Sequence, residues 1–112
     1  MVTKSLRVLL SVTFAAALLG ASPRVESVEP DSGQTGTELV AKGEDLDARQ
    51  VSAFYLTDGE HDHKVRMKEQ TSELIRFVIP PKTPPGRYAL MLETKGVNAS
   101  WLQQPVYCTV LD

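Results

Sequence analysis

The segment that most constrains this chain is Pro30 to Leu46, PDSGQTGTELVAKGEDL, where a glycine-punctuated turn runs into an alternating stretch that stops at another glycine. Proline, a side-chain acceptor and glycine in Pro30-Asp31-Ser32-Gly33 suit a tight turn. From Thr37 to Lys42, Leu39 and Ala41 fall on one face and Glu38, Val40 and Lys42 on the other. A period of two is the pattern of a half-buried strand. Gly43 is the expected end of that strand.

The same pattern fills the chain from Val25 onward. Val25 to Val28 reads as a first strand closed by Pro30, a residue that cannot donate to a ladder. Val51 to Thr57 carries two interleaved apolar sets, Val51, Ala53 and Tyr55 against Phe54 and Leu56, which a bulge would reconcile. Asp58-Gly59 opens the polar tip GEHDHK, after which Lys64 to Glu69 is expected to return as the hairpin partner. Ile75, Phe77 and Ile79 give the clearest inward face, ended by Pro80-Pro81. The four prolines between Pro80 and Gly86 rigidify the next crossing. Tyr88, Leu90 and Leu92 then line up inward, with Tyr88 at a corner where its hydroxyl can reach nearby backbone. A polar loop is expected over Thr94 to Gln104, and Pro105 suits the start of an edge strand over Val106 to Leu111. The pattern is that of an all-β sandwich or barrel, and a sandwich of about seven strands is expected. Its core is expected to hold Leu39, Ile75, Phe77, Ile79, Tyr88, Leu90, Val106, Cys108 and Val110.

Residues 1–21 have a different character. Lys4 and Arg7 precede an apolar run from Val8 to Leu19, followed by the small residues Gly20, Ala21 and Ser22. This is the layout of a signal peptide, and the run falls short of the roughly 20 residues a spanning helix needs. Cleavage is expected after Ala21, leaving residues 22–112 as a single exported domain, secreted or periplasmic, with no stable membrane insertion. No cysteine sits at the boundary to take a lipid. Without Lys4 and Arg7, ten basic residues face fourteen acidic ones, a net charge of about −4. The bases are scattered singly, so the clustered cations that displace counterions from a phosphate backbone are missing and nucleic acid is excluded as a partner.

Cys108 is the only cysteine, so no disulfide can form within the domain. Its place in Val106-Tyr107-Cys108-Thr109-Val110 makes it a small buried apolar residue.

The ordered set Pro30-x-x-Gly33-x-x-Gly36-Thr37, alternation, Gly43 and Leu46, then a strand ending in Pro80, Pro85-Gly86-x-Tyr88 and a final strand, resembles the IPT/TIG domains. The resemblance spans Val25 to Val110. Gln34 stands where the family often has proline, and Asp58-Gly59 with a longer tip replaces a glycine pair. The resemblance implies an immunoglobulin-like fold and a setting such as a bacterial surface protein, a receptor ectodomain, an accessory module of a sugar-degrading enzyme or a dimerisation module. Fold alone does not choose among these.

Few residues offer chemistry. His61 and His63 in Glu60-His61-Asp62-His63 are the candidate metal ligands, but a zinc site takes three or four ligands and no further histidine exists. A solvent-facing tip is expected there, and no cofactor is implied. Asn98-Ala99-Ser100 matches the glycosylation acceptor pattern, which matters only in a eukaryotic secretory route. Trp101 is the candidate ligand or partner contact, with capping of the sandwich end as the competing role; no spaced row of Trp or Tyr suggests a sugar platform. A nucleophile with a base and an orienting group is missing, so no catalytic residues are assigned. The expected role is a non-catalytic interaction or structural module whose partner is a protein or cell-surface component. The alternative is a small glycan- or metal-binding module using loops at one end.

Overall fold

The computed structural model describes residues 22–112; the expected signal peptide and the expected cleavage after Ala21 lie outside the described residues. Alternation and turn chemistry resolve into nine strands and no helix among those residues: β1 (Arg24–Glu29), β2 (Ser32–Gly33), β3 (Glu38–Glu44), β4 (Val51–Thr57), β5 (Asp62–Lys64), β6 (Arg66–Gln70), β7 (Leu74–Val78), β8 (Gly86–Thr94) and β9 (Trp101–Val110). They form a four-stranded sheet ordered β1-β3-β7-β6 and a five-stranded sheet ordered β2-β9-β8-β4-β5. The excess over seven comes from β2 and β5, short pieces that the turn-rich sequence hides.

The two inner faces meet in one core. Leu39 and Ala41 of β3 and Ile75 and Phe77 of β7 face Phe54 and Leu56 of β4, Tyr88, Leu90 and Leu92 of β8, and Cys108 and Val110 of β9. Phe54 and Phe77 join the sheets edge to face, 5.0 Å between ring centroids. Such pairs add about 0.5–1.5 kcal/mol beyond burial. Of the expected core, Val106 alone is only half-buried. The open side between β1 and β9 is stapled by Gln104, whose Oε1 accepts the Val25 N–H at 2.7 Å while its amide donates to Leu102 O at 3.1 Å.

Four expectations are corrected by the structure. Gly43 does not end its strand but lies inside β3, opposite Val25 at a bulge in β1. A Cβ there would lie 1.9 Å from Arg24 O, so this glycine is required by close backbone approach. Lys64 to Glu69 is not one hairpin arm. Val65 is buried and donates its N–H to Phe54 O, so the chain crosses between sheets at that residue. Residues before it pair with β4, and those after it pair with β7. The loop expected over Thr94 to Gln104 is shorter, since β9 already begins at Trp101. Pro105 falls within β9 rather than at its start, where the β8 ladder shifts register and a missing N–H is tolerated. The bulge expected in β4 is found between Val51 and Ala53.

Candidate functional site

Three cross-strand rows build the outer face of the five-stranded sheet. Ala53, Glu93 and Trp101 form the first; Tyr55, Met91 and Gln103 the second; Thr57, Ala89 and Tyr107 the third. Lys64 and Asp62 extend the second and third rows onto β5. Phe54, Leu92 and Leu102, one position out of phase with the second row, point the other way. The described residues contain six aromatic side chains. Phe54, Phe77 and Tyr88 are buried, and the other three share this face.

Trp101 is 54% exposed and leans on Tyr55, with 4.9 Å between ring centroids. Tyr55 is fixed in turn by donating its hydroxyl to Glu93 Oε1 at 3.0 Å. Burial first, and then the Glu93 carboxylate, raise the Tyr55 phenol above its ordinary range, so it stays a donor. The strand entry is also held, because Ser100 N donates to Thr94 Oγ1 at 2.8 Å and Thr94 N to Ser100 O at 2.9 Å. Trp101 is therefore a surface ring packed on Tyr55 on the outer sheet face, not a cap on the sandwich end. At the far side of the face, Tyr107 is 43% exposed with the Arg87 guanidinium 4.1 Å from its ring centroid. Beside it lies a shallow cleft of about 210 Å³ lined by Thr57, Asp58, Gly59, Arg87, Ala89, Gln103 and Tyr107.

His61 and His63 meet at a different place, the end of the sandwich, where both line a cleft of about 410 Å³ with Asp58, Lys82, Arg87 and Tyr88. The tip is an ordered turn. Asp58 Oδ1 accepts the backbone N–H groups of Glu60 at 2.9 Å and His61 at 2.7 Å, and these hold its carboxyl down to about 2. His61 Nδ1 lies 3.4 Å from Asp58 Oδ2. His63 is half-buried, edge-on to the Tyr88 ring at 5.5 Å. The Tyr88 hydroxyl donates to Pro84 O at 2.7 Å, the corner bond anticipated from the sequence. No group of three or more metal-ligating side chains converges among the described residues. Cys108 is buried, and burial pushes its thiol up to about 11, which removes it from thiolate chemistry. Asn98 is exposed in the loop before β9.

Sequence reasoning singled out Trp101 but missed its companions. Tyr55 and Tyr107 are far apart in sequence, and only the β4-β8-β9 pairing sets them on one surface. The alternation of β4 did carry the signal, because placing Phe54 and Leu56 inside obliges Tyr55 to face out.

Two sheets packed face to face without a helix among the described residues define a β-sandwich. The chain belongs to the IPT/TIG domain family, whose model matches residues 23–109. Domains of this family are in general non-catalytic modules. Similar solved structures include a protein of unknown function from Bacteroides thetaiotaomicron VPI-5482, with a TM-score of 0.67 and 16% identity over 82% of this chain and 22% of that one. Another is SGBP-B of the Bacteroides ovatus mixed-linkage glucan utilization locus, in complex with a mixed-linkage heptasaccharide, with a TM-score of 0.55 and 15% identity over 80% of this chain and 23% of that one. The chain thus spans less than a quarter of either protein, and at these identities the likeness is one of fold. No curated protein matches it. Among the described residues, no helix is long and apolar enough to cross a membrane.

Proposed function

We propose that this chain is an exported, non-catalytic binding module that holds a cell-surface component against the outer face of its five-stranded sheet. The observation that carries the reading is the placement of the three non-core aromatics among the described residues, Tyr55, Trp101 and Tyr107, on that one face. A half-exposed tryptophan held by Tyr55 offers a large contact area with little rotamer freedom left to lose on binding.

The sheet edges are poorer candidates. The β1 edge is bulged and carries Arg24, Glu26 and Glu29; the β6 edge is bulged at Lys68; β2 and β5 have two and three residues. Bulges, charges and short length are the means by which edges are kept from pairing. Export is part of the proposal and rests on residues 1–21, with the mass of the exported product expected to lack them.

The decisive comparison is recovery of envelope or medium components by wild type and by Trp101→Ala. Trp101 lies outside the core, so the variant should fold and lose its captured partner. Equal capture by both proteins would remove the face from consideration.

A further inference from the structure

Resting on that reading of the sheet face, we infer that its ligand is an uncharged oligosaccharide lying across β8 and β9 from Trp101 toward Tyr107. Trp101 pairs with Glu93 and Tyr107 with Ala89, four residues apart on β8, so the two positions are separated by roughly 13 Å along the strands. The intervening row presents Gln103, an amide with donors and an acceptor, on an exposed position. Beside Tyr107, the shallow cleft adds the Arg87 guanidinium and further polar lining.

This alternation of ring, amide, ring and polar cleft matches a pyranose chain. Each sugar has an apolar C–H face that suits the negative face of an aromatic ring, and an equatorial rim of hydroxyls that both donate and accept. A protein partner would favour a different layout, with its aromatic anchors clustered in a desolvated centre and the polar groups at the rim. Here Trp101 and Tyr107 stand at the two ends, with exposed Gln103 between them on β9 and the polar cleft beyond. Small residues, Ala53 and Ala89, keep the rest of the surface low.

Charge selects within the sugars. Glu93, Asp62 and, in the cleft, Asp58 stand against Lys64 and Arg87, so the surface has no surplus of cations with which to attract a polyanion. Glu93 is also occupied by the Tyr55 hydroxyl. A neutral glycan satisfies the face, whereas a uronate or sulfated chain would bring charge without a surplus of cations to meet it. Separation of the two rings further requires an oligomer, with a monosaccharide reaching only one of them.

The experiment uses protein recovered after expression of the full chain. Trp101 is the sole tryptophan, so its emission reports on the proposed contact directly. The probes are cello-, mixed-linkage gluco-, malto- and manno-oligosaccharides from monosaccharide to hexasaccharide, with a polygalacturonate series as the acidic control. At least one neutral series should shift or quench the emission, with affinity rising by tenfold or more as length increases, and the acidic series should not. Tyr107→Ala should weaken the longer ligands by about tenfold and leave the disaccharide unchanged. Trp101→Ala should abolish binding measured by calorimetry. Absence of binding to every neutral series, or preference for polygalacturonate, overturns the glycan assignment. If the glycan assignment fails but Trp101→Ala still loses a captured envelope protein, the face reading survives with a protein as its occupant. If binding to sugars is found and neither substitution alters it, the sheet face is the wrong surface.

Discussion

The two sheets share an interior and differ on their outsides. The outer face of the four-stranded sheet is a lattice of charge. Glu38 accepts from Lys68 at 3.1 Å and from Arg76 at 3.0 Å, Arg76 also reaches Glu69 at 3.0 Å, and Lys42 reaches Glu29 at 3.3 Å. The outer face of the five-stranded sheet has charges of its own, Glu93, Asp62, Lys64 and Arg87, but adds the exposed rings of Trp101 and Tyr107 and the half-buried Tyr55 beside buried Met91, Ala53 and Ala89. Exposed ion pairs add little to stability, so the charged lattice is chiefly a solvated surface with its hydrogen-bonding capacity already spent. The aromatic face holds contact area that the fold itself does not use. One sandwich thus presents a surface of satisfied ion pairs and, on the opposite side, one with exposed aromatic rings.

That contrast supposes a common core, and the largest expected effect tests it. Phe77 belongs to the charged sheet and Phe54 to the aromatic one, and their edge-to-face contact is where the layers meet. Truncating Phe77 to Ala should cost about 3–5 kcal/mol, read by denaturant unfolding as one cooperative transition. Two separate transitions would mean that the sheets are independent units and that their outer faces cannot be compared as parts of one domain.

The sequence revealed the inward faces because period-two alternation is a local property. Ile75, Phe77 and Ile79 are fully buried where the pattern put them, and the Tyr88 hydroxyl finds backbone as its corner position suggested. The sheet assignment of Lys64 to Glu69 was not legible, because alternation says which side chains face in but not which neighbouring strand supplies the hydrogen bonds. Val65 alternates correctly and still changes sheets. The candidate site was legible only as Trp101. Its partners Tyr55 and Tyr107 are joined to it by β4-β8-β9 pairing, a non-local fact that no window along the chain contains.

An intermediate effect should fall on the charged sheet alone. At Gly43 an added Cβ meets Arg24 O at 1.9 Å, and the obstacle is backbone. Gly43→Ala must push β1 away from β3, with a loss of about 1–3 kcal/mol as in other overpacked sites. Amide exchange should quicken at Val28, whose strand partner is Ala41, while Trp101 emission in the native state stays unchanged. A change in that emission of the same size as in a core variant would show that the two outer faces are mechanically coupled.

The smallest effect belongs to the charged lattice itself and sharpens the contrast most. Arg76 bridges Glu38 and Glu69, and hydrogen bonds from Lys68 and then Arg76 hold the Glu38 carboxyl below its ordinary value. A carboxyl depressed in the folded state lends stability that is present above its unfolded pKa and is lost as pH falls through the folded one. Arg76→Ala should therefore lower the unfolding midpoint slightly at neutral pH and low salt. The difference from wild type should shrink in 1 M salt, where screening acts within about 3 Å, and should shrink again in acid as Glu38 takes up its proton in both proteins. Capture of the surface component should be unchanged, since Arg76 faces away from Trp101. Loss of capture in Arg76→Ala, in a protein that still unfolds cooperatively, would place the contact on the charged sheet and reverse the assignment of the two faces.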